Sequence, residues 1–353
     1  SRGLGDVYKR QMLDRKAIKK QSAAAQTLVH SADVIVVGGG GAGMVAAATA
    51  VDGGAKVIVL EKMAYFGGNS NRSEGGMNAA GTKQQIADGV TDDSPAIFYA
   101  DTMKGGHNLN NPALLKTLTE NAAGAEEWLL SLGAKFCHRM GRGGGQTRAR
   151  GHGPCDGSPV GIEIMRVLGE RADKDHIDMR LNNRVTKILM KNGKVAGVQV
   201  KTPKGMETIN AKSVILATGG FHANKALVTQ FMGGEVAWMP IRGSMTLTGE
   251  NILLTAPFFP MYVNMDQFHA GPIHGPTKAN PSQMVNFGIC VNTLGNRYVD
   301  EASTYVEIAR HTAKDTIRNS AFTILDSSVV KLPIVAMRID RYKAAKAPIF
   351  EAN

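Results

Sequence analysis

The chain has 353 residues, 43% of them hydrophobic, and a formal net charge of +11. That length and apolar content allow a large buried core and two domains, while no apolar run reaches the roughly 18–20 residues that span a bilayer. The charge does not mark a nucleic-acid surface: residues 1–20 hold seven basic side chains against Asp6 and Asp14, and no later stretch interleaves basic with aromatic residues.

Aromatic residues make up only 6%, whereas 41 glycines point to tight turns or close backbone approaches to a ligand. Cys137, Cys155 and Cys290 are too few and too scattered for a disulfide framework, and no C-x-x-C is present. That excludes a zinc ribbon and a c-type haem attachment site, and the three read as ordinary packed or surface thiols.

The opening "SRGLGDVYKRQ" (1–11), back-translated, resembles the primer and transposon-end sequence of tagmentation DNA libraries. It is expected to be a sequencing artefact and is set aside from fold reasoning. Residues 12–30 are basic and then small and polar, as in a linker. The far end, "RYKAAKAPIFEAN", stops in what reads as a connection between elements, so the chain reads as truncated at both ends.

"ADVIVVGGGGAGMVAAATAVDGGAKVIVLEK" comes next. Val34–Val37 is a short apolar run, as expected of a buried parallel strand. Gly38, Gly40 and Gly43 supply G-x-G-x-x-G, Ala46–Val51 continues as a small-residue helix that Gly53–Gly54 ends, and Val57–Leu60 is a second strand. Gly38 permits the tight turn, Gly40 lets the backbone approach a pyrophosphate, and Gly43 lets helix and strand pack closely. The helix N-terminus offers free N–H groups to phosphates. Glu61, 18 residues after Gly43, stands where an acid accepts hydrogen bonds from ribose hydroxyls. The pattern predicts a dinucleotide site, with NAD and FAD both open.

The following stretch, "EKMAYFGGNSNRSEGGMNAA" (61–80), favours FAD. A simple NAD-binding half would start another helix promptly. Here about twenty residues go into glycine and small polar groups, which suits a backbone laid along a ribityl chain and flavin ring.

That stretch resembles the flavin-contacting loop of the fumarate reductase and succinate dehydrogenase flavoproteins, and most of all their soluble flavocytochrome c type. The resemblance runs from about Ala32 to the end, through "GGNSNRSEGGMNAA", "DTMKGGHNLNNPALL", "RLNNRVTKIL" and "SVILATGGF". It implies an α/β fold: a Rossmann-like FAD-binding domain over 31–263, with a parallel sheet and an added β-layer, then part of an α+β cap over 264–353. The cofactor-binding set it implies begins with Gly38, Gly40, Gly41, Ala42, Gly43, Glu61 and Lys62. The loop adds Gly68, Asn69, Ser70, Gly75, Gly76, Met77 and Asn78; further on come Val185, Ala217, Thr218, Gly219 and Glu250. Members with covalent FAD carry a histidine where this chain has Asn69, which implies non-covalent FAD.

The activity implied is two-electron reduction of an activated carbon–carbon double bond. His269, in "MDQFHAGPIHGP", matches a family histidine that binds a substrate carboxylate, and His274 is a weaker candidate. Fumarate-reducing members use an arginine after an "R-[FY]-x-[ND]-E" stretch as proton donor. This chain has the lead-in, "NRYVDEASTYVEIARH", but Tyr305 in the arginine's place. Pro281 and Met284 stand where the relay's glutamate and second arginine are expected. The three changes point away from fumarate. A phenol, with an ordinary pKa near ~10 against more than ~12 for a guanidinium, still donates a proton with less driving force. An enoate or enone therefore fits, with Tyr305 as acid and His269 as substrate holder. Arg310 and His311 are alternative acids, though on a helix they project in other directions. Arg148, Arg150 and His152 lie in a Gly-rich stretch (141–161) read as a mobile loop, holding phosphate or substrate, or simply solvated.

Two other readings stand beside this one: a flavin dehydrogenase or oxidase of ketosteroid-dehydrogenase type, and an inactive fragment. The third arises because the family's second Gly-rich flavin turn, with its histidine and arginine, has no counterpart in the chain. The resemblance implies an electron donor, either a haem or FMN domain or a separate protein. The compartment, cytoplasmic or exported, stays open.

Overall fold

Val36 and its neighbours begin the sheet, and the chain winds outward from there. In a computed structural model, residues 30–137, 140–277, 279–281 and 284–351 are described. The adapter-like segment and all of the expected linker but His30 lie outside them. Strand β1 (Ser31–Val37) leads through the glycine turn into helix α1 (Gly41–Asp52) and strand β2 (Val57–Leu60). The second strand has the bounds its apolar run predicts. The first begins before Val34, because Ser31 and Ala32 find partners in Asn210 and Ala211 far along the chain. The helix begins at Gly41, ahead of Ala46: tertiary packing overrides the poor helix propensity of its glycines.

Next come β3 (Met77–Asn78), α2 (Lys83–Ala87), α3 (Pro95–Gly105), α4 (Pro112–Ser131), β4 (Gly151–His152) and α5 (Val160–Lys174). Helices α3 and α4 start on Ser94 and Asn111 caps with proline in the first turn, where no N–H is lost. Then follow β5 (Asp178–Arg180), β6 (Arg184–Lys191), β7 (Lys194–Thr202), β8 (Gly205–Leu216), α6 (Lys225–Met232) and α7 (Glu250–Thr255). The last are β9 (Ile289–Asn292), α8 (Tyr305–Asp315), β10 (Ala321–Ile324) and α9 (Pro333–Ala344).

The main sheet has the order β5-β2-β1-β8-β7-β6. The first four strands are parallel and the last two antiparallel. β8 belongs to both parts: Gly205–Asn210 pairs with β7, and Asn210–Leu216 runs beside β1. The expected added β-layer is thus the antiparallel continuation of the parallel sheet. Where the strands meet, a Cβ on Gly197 would come within 2.2 Å of the Ile209 carbonyl oxygen, so only glycine fits.

Ile35, Val37, Ile58 and Leu60 bury one face of the parallel strands against Val198, Val200, Ile209 and Leu254. The other face, Val36, Val57 and Val59, packs on Ala47 of α1. Both faces are apolar, which is why these strands read as continuous hydrophobic runs. A small separate core joins Val285, Cys290 and Ile308, with Tyr298, Val299 and Tyr305 against it.

Two sequence expectations are overturned. Cys137 and Cys155 form a disulfide, and only Cys290 is a free, buried thiol. The pairing has no sequence signal because strand-like contacts create it: Phe136 bridges to Pro154, and Cys137 N–H donates to the Gly153 carbonyl at 2.8 Å. The Gly-rich stretch, secondly, is no loop of solvated charges. Arg150 and His152 are 0% exposed. Arg150 is held bidentately by Asp93 (2.9 and 2.8 Å) and by Asp101 at 2.8 Å. His152 meets the Thr82 hydroxyl at 2.8 Å, and burial keeps its pKa below the ordinary value. Arg148 alone is at the surface, paired with Asp92. No helix among the described residues is long and apolar enough to cross a membrane.

Candidate functional site

The carboxyl ends of β1, β2 and β8 open into a cleft of about 240 Å3. Strand ends of an α/β sheet are where ligands sit, because the turns and helix N-termini gather there. Gly38, Gly40, Gly41 and Ala42 line it from the glycine turn, and Glu61 and Lys62 from the end of β2. Gly68, Asn69 and Ser70 come from the long glycine stretch, Ala217, Thr218 and Gly219 from the end of β8, and Val185 and Glu250 from the remaining sides. Gly43 lies beneath: a Cβ there would be 1.9 Å from the Gly38 carbonyl oxygen.

Gly75, Gly76, Met77 and Asn78 stand outside the lining. Met77 and Asn78 pair with His152 and Gly151, and a Cβ on Gly76 would run into the Gly151 backbone at 2.7 Å. Met63, Tyr65, Asn183, Arg184, Thr246 and Asn251 line the cleft without having been singled out. Asn183 and Arg184 precede Val185 in "RLNNRVTKIL", and Thr246 and Asn251 lie in "TLTGENI" (246–252) around Glu250, so all four were within reach of those signals.

The cleft is built for a polar, anionic guest. Helix α1 points its N-terminus inward with no side-chain cap; the Gly41 N–H donates to the Ser70 hydroxyl at 3.0 Å. Glu61 is aimed by two backbone donors, Gly39 N–H at 2.9 Å and Met63 N–H at 2.8 Å. Each of its oxygens keeps a second lone pair for a hydroxyl. Burial pushes the Glu250 carboxyl up, but hydrogen bonds from Lys62 (2.5 Å) and Thr248 (2.7 Å) outweigh it and hold the pKa below the usual carboxylate value. Two lining groups, Glu250 Oε2 and Thr218 Oγ1, are buried and have no partner among the described residues. Orphans of that kind mark where a ligand supplies the missing bonds. The glycine cradle, the uncapped helix and the orphaned polar atoms together fit a flavin dinucleotide.

A second cluster forms beside it. Tyr305 is the first residue of α8, whose Thr304 cap accepts the Glu307 N–H at 3.3 Å. Its hydroxyl lies 3.2 Å from His269 Nε2, with the two rings edge to face. Gly144 and Gly271 flank the tyrosine ring. Burial first, then Arg242 and Arg310, push the His269 pKa down, so the imidazole is neutral at pH 7. Arg310 turns toward this cluster, giving a hydrogen bond to Gln267 Oε1 at 2.9 Å and lying 5.0 Å from the Phe268 ring centroid. His311 pairs instead with Asp315 at the surface, and His274 holds a turn through Thr277 at 2.8 Å. Pro281 and Met284 are both buried.

Arg242, which nothing in "MPIRGSMT" announces, ties the two regions together. Its Nη2 donates to Glu74 of the glycine stretch at 2.8 Å, and two residues on, Ser244 N–H donates to Asn69 Oδ1 at 2.7 Å.

Residues 33–329 match the family model described as FAD binding domain. The chain belongs to this FAD-binding family. Its cofactor is FAD. Among curated proteins it is 36% identical over 291 residues to a fumarate reductase (cytochrome) of Shewanella frigidimarina, covering 81% of this chain and 50% of that one. The structure of the open conformation of a flavocytochrome c3 fumarate reductase superposes with a TM-score of 0.77 at 34% identity, over 93% of this chain and 58% of the other. A 3-ketosteroid-Δ4-(5α)-dehydrogenase from Rhodococcus jostii RHA1, in complex with 4-androstene-3,17-dione, gives 0.73 at 25% identity, over 93% and 71%. The chain spans about half the length of that curated fumarate reductase.

Proposed function

We propose that this FAD-binding chain carries the cofactor site and part of the substrate site of an oxidoreductase that reduces an activated carbon–carbon double bond. The substrate is an enoate or enone rather than fumarate, and the FAD is held non-covalently beside Asn69. The observation that carries this reading is the contact of 3.2 Å between Tyr305 and His269, next to Arg242 and Arg310. Bound FAD supplies the hydride to one alkene carbon. Tyr305 holds a proton at its phenolic oxygen and gives it to the other. His269 fixes that hydroxyl from one side, and Gly144 and Gly271 lie along the two edges of the ring, where neither adds a side chain. The guanidinium groups favour negative charge developing on the substrate's carboxylate or carbonyl. The electron donor is a haem or FMN domain or a separate protein.

The test is anaerobic: load the protein with FAD, reduce it, and follow recovery of flavin absorbance as crotonate, cinnamate, enones or fumarate are added. Tyr305→Phe is expected to slow recovery by roughly 10²-fold or more with FAD content unchanged. Equal rates in wild type and variant remove Tyr305 as the acid. The likeness to the steroid dehydrogenase favours a second reading, in which oxidised flavin is bleached by a saturated ketone. A purified chain that retains no flavin would instead be inactive.

A further inference from the structure

The reductase reading leaves open which group anchors the substrate, and the surroundings of Tyr305 narrow it. His269 has its Nε2 engaged by the tyrosine hydroxyl and is neutral, so it is a poor partner for a carboxylate. Arg310 is largely engaged: Nη2 donates to Gln267, Nη1 lies 3.6 Å from a Glu307 oxygen, and the guanidinium faces Phe268. Its buried Nε alone lacks a partner among the described residues, which leaves no free two-nitrogen edge for a carboxylate.

Arg242 differs. Among the described residues its one hydrogen bond is from Nη2 to Glu74. A Cβ on Gly271 would lie 4.0 Å from Arg242 Nη1 and 3.5 Å from the Tyr305 ring. The glycine thus keeps a space open between the proposed acid and a guanidinium edge. We infer that Arg242 sets the substrate class by holding the single carboxylate of a monocarboxylate enoate in that space. The inference rests on the reading of Tyr305 as acid. One guanidinium edge suits one carboxylate, bound by paired charge-assisted hydrogen bonds. Pro281 and Met284, where the resemblance implies a glutamate and an arginine, are uncharged and buried, so they add no second carboxylate-binding cation.

Calorimetric titration of the FAD-loaded protein with trans-cinnamate and with cinnamamide tests it without turnover. Wild type is expected to bind the acid more tightly than the amide. Arg242→Gln should weaken cinnamate by roughly tenfold or more while leaving the amide unchanged, with partial recovery in Arg242→Lys. Gly271→Val, which keeps the guanidinium but fills the space, should lose both ligands and retain flavin. Equal wild-type affinity for acid and amide, no cinnamate binding, or indifference to Arg242→Gln each overturns the inference. If Arg242 governs binding but cinnamate does not reoxidise the flavin through Tyr305, the reductase reading fails and the anchor stands. Tyr305-dependent turnover of enones with cinnamate affinity unmoved by Arg242→Gln gives the reverse.

Discussion

Glu250 shows how one side chain serves two ends. Its Oε1 neutralises Lys62 and lies 3.2 Å from Arg184, while Oε2 stays unpartnered in the cleft. Its folded pKa is depressed, so the carboxylate stabilises the fold above the ordinary glutamate pKa of ~4.3 and loses that contribution as pH falls through the folded value. Glu250→Gln is therefore expected to be less stable than wild type at pH 7 and to approach it in acid. Urea midpoints measured from pH 7 to pH 3 check this; a constant gap would mean that the charge is not the cause. Gly43 makes the opposite kind of residue. Its role is steric and local, set by a carbonyl five positions earlier, and so it was legible in G-x-G-x-x-G. Arg242 was not legible, because the partner that places it, Glu74, is 168 residues away.

At the scale of elements, the buried Arg150 joins β4 to α3 through Asp93 and Asp101. Burial pushes both carboxyls up, but the hydrogen bonds, Arg150's among them, prevail and hold both pKa values low. Arg150→Met should cost about 3–5 kcal/mol, since it strands two buried carboxylates, and chemical denaturation measures it. Marginal loss would mean that Asp93 and Asp101 find other partners. The stretch read as loop because it is Gly-rich and polar, and its neutralising partners sit 49 and 57 residues away. The β1–α1–β2 unit was legible for the converse reason. Its signals, an apolar run, a glycine turn and a second apolar run, all lie within thirty residues, and β2 has the bounds they predict. The extension of β1 to Ser31 was lost because β8 dictates it.

For the molecule as a whole, the Cys137–Cys155 link closes a loop 18 residues apart in sequence that reaches from α4's exit to the entry of α5. By loop closure it should stabilise the fold by about 3 kcal/mol. A thermal melt with and without reductant, with Cys155→Ser as control, reads the loss; equal melting temperatures would show that the buried Arg150 cluster alone holds the segment. The sequence conveyed the order of segments around the cleft but not this staple, which depends on two chain crossings rather than on spacing.

β8's double membership also governs how the chain is made. β1 and β2 can pair as soon as both have left the ribosome, yet the strand that covers β1's other edge ends only at Leu216, about 180 residues after Val37. At about 5–20 residues per second, the apolar edge of β1 waits some ten to forty seconds for its neighbour. During that interval the glycine turn is formed without Ala217 and Thr218, so a nascent chain has no complete place for FAD. Cofactor capture must then follow synthesis of the antiparallel ribbon, and a ribosome stalled before Lys194 would hold a strand edge open to aggregation.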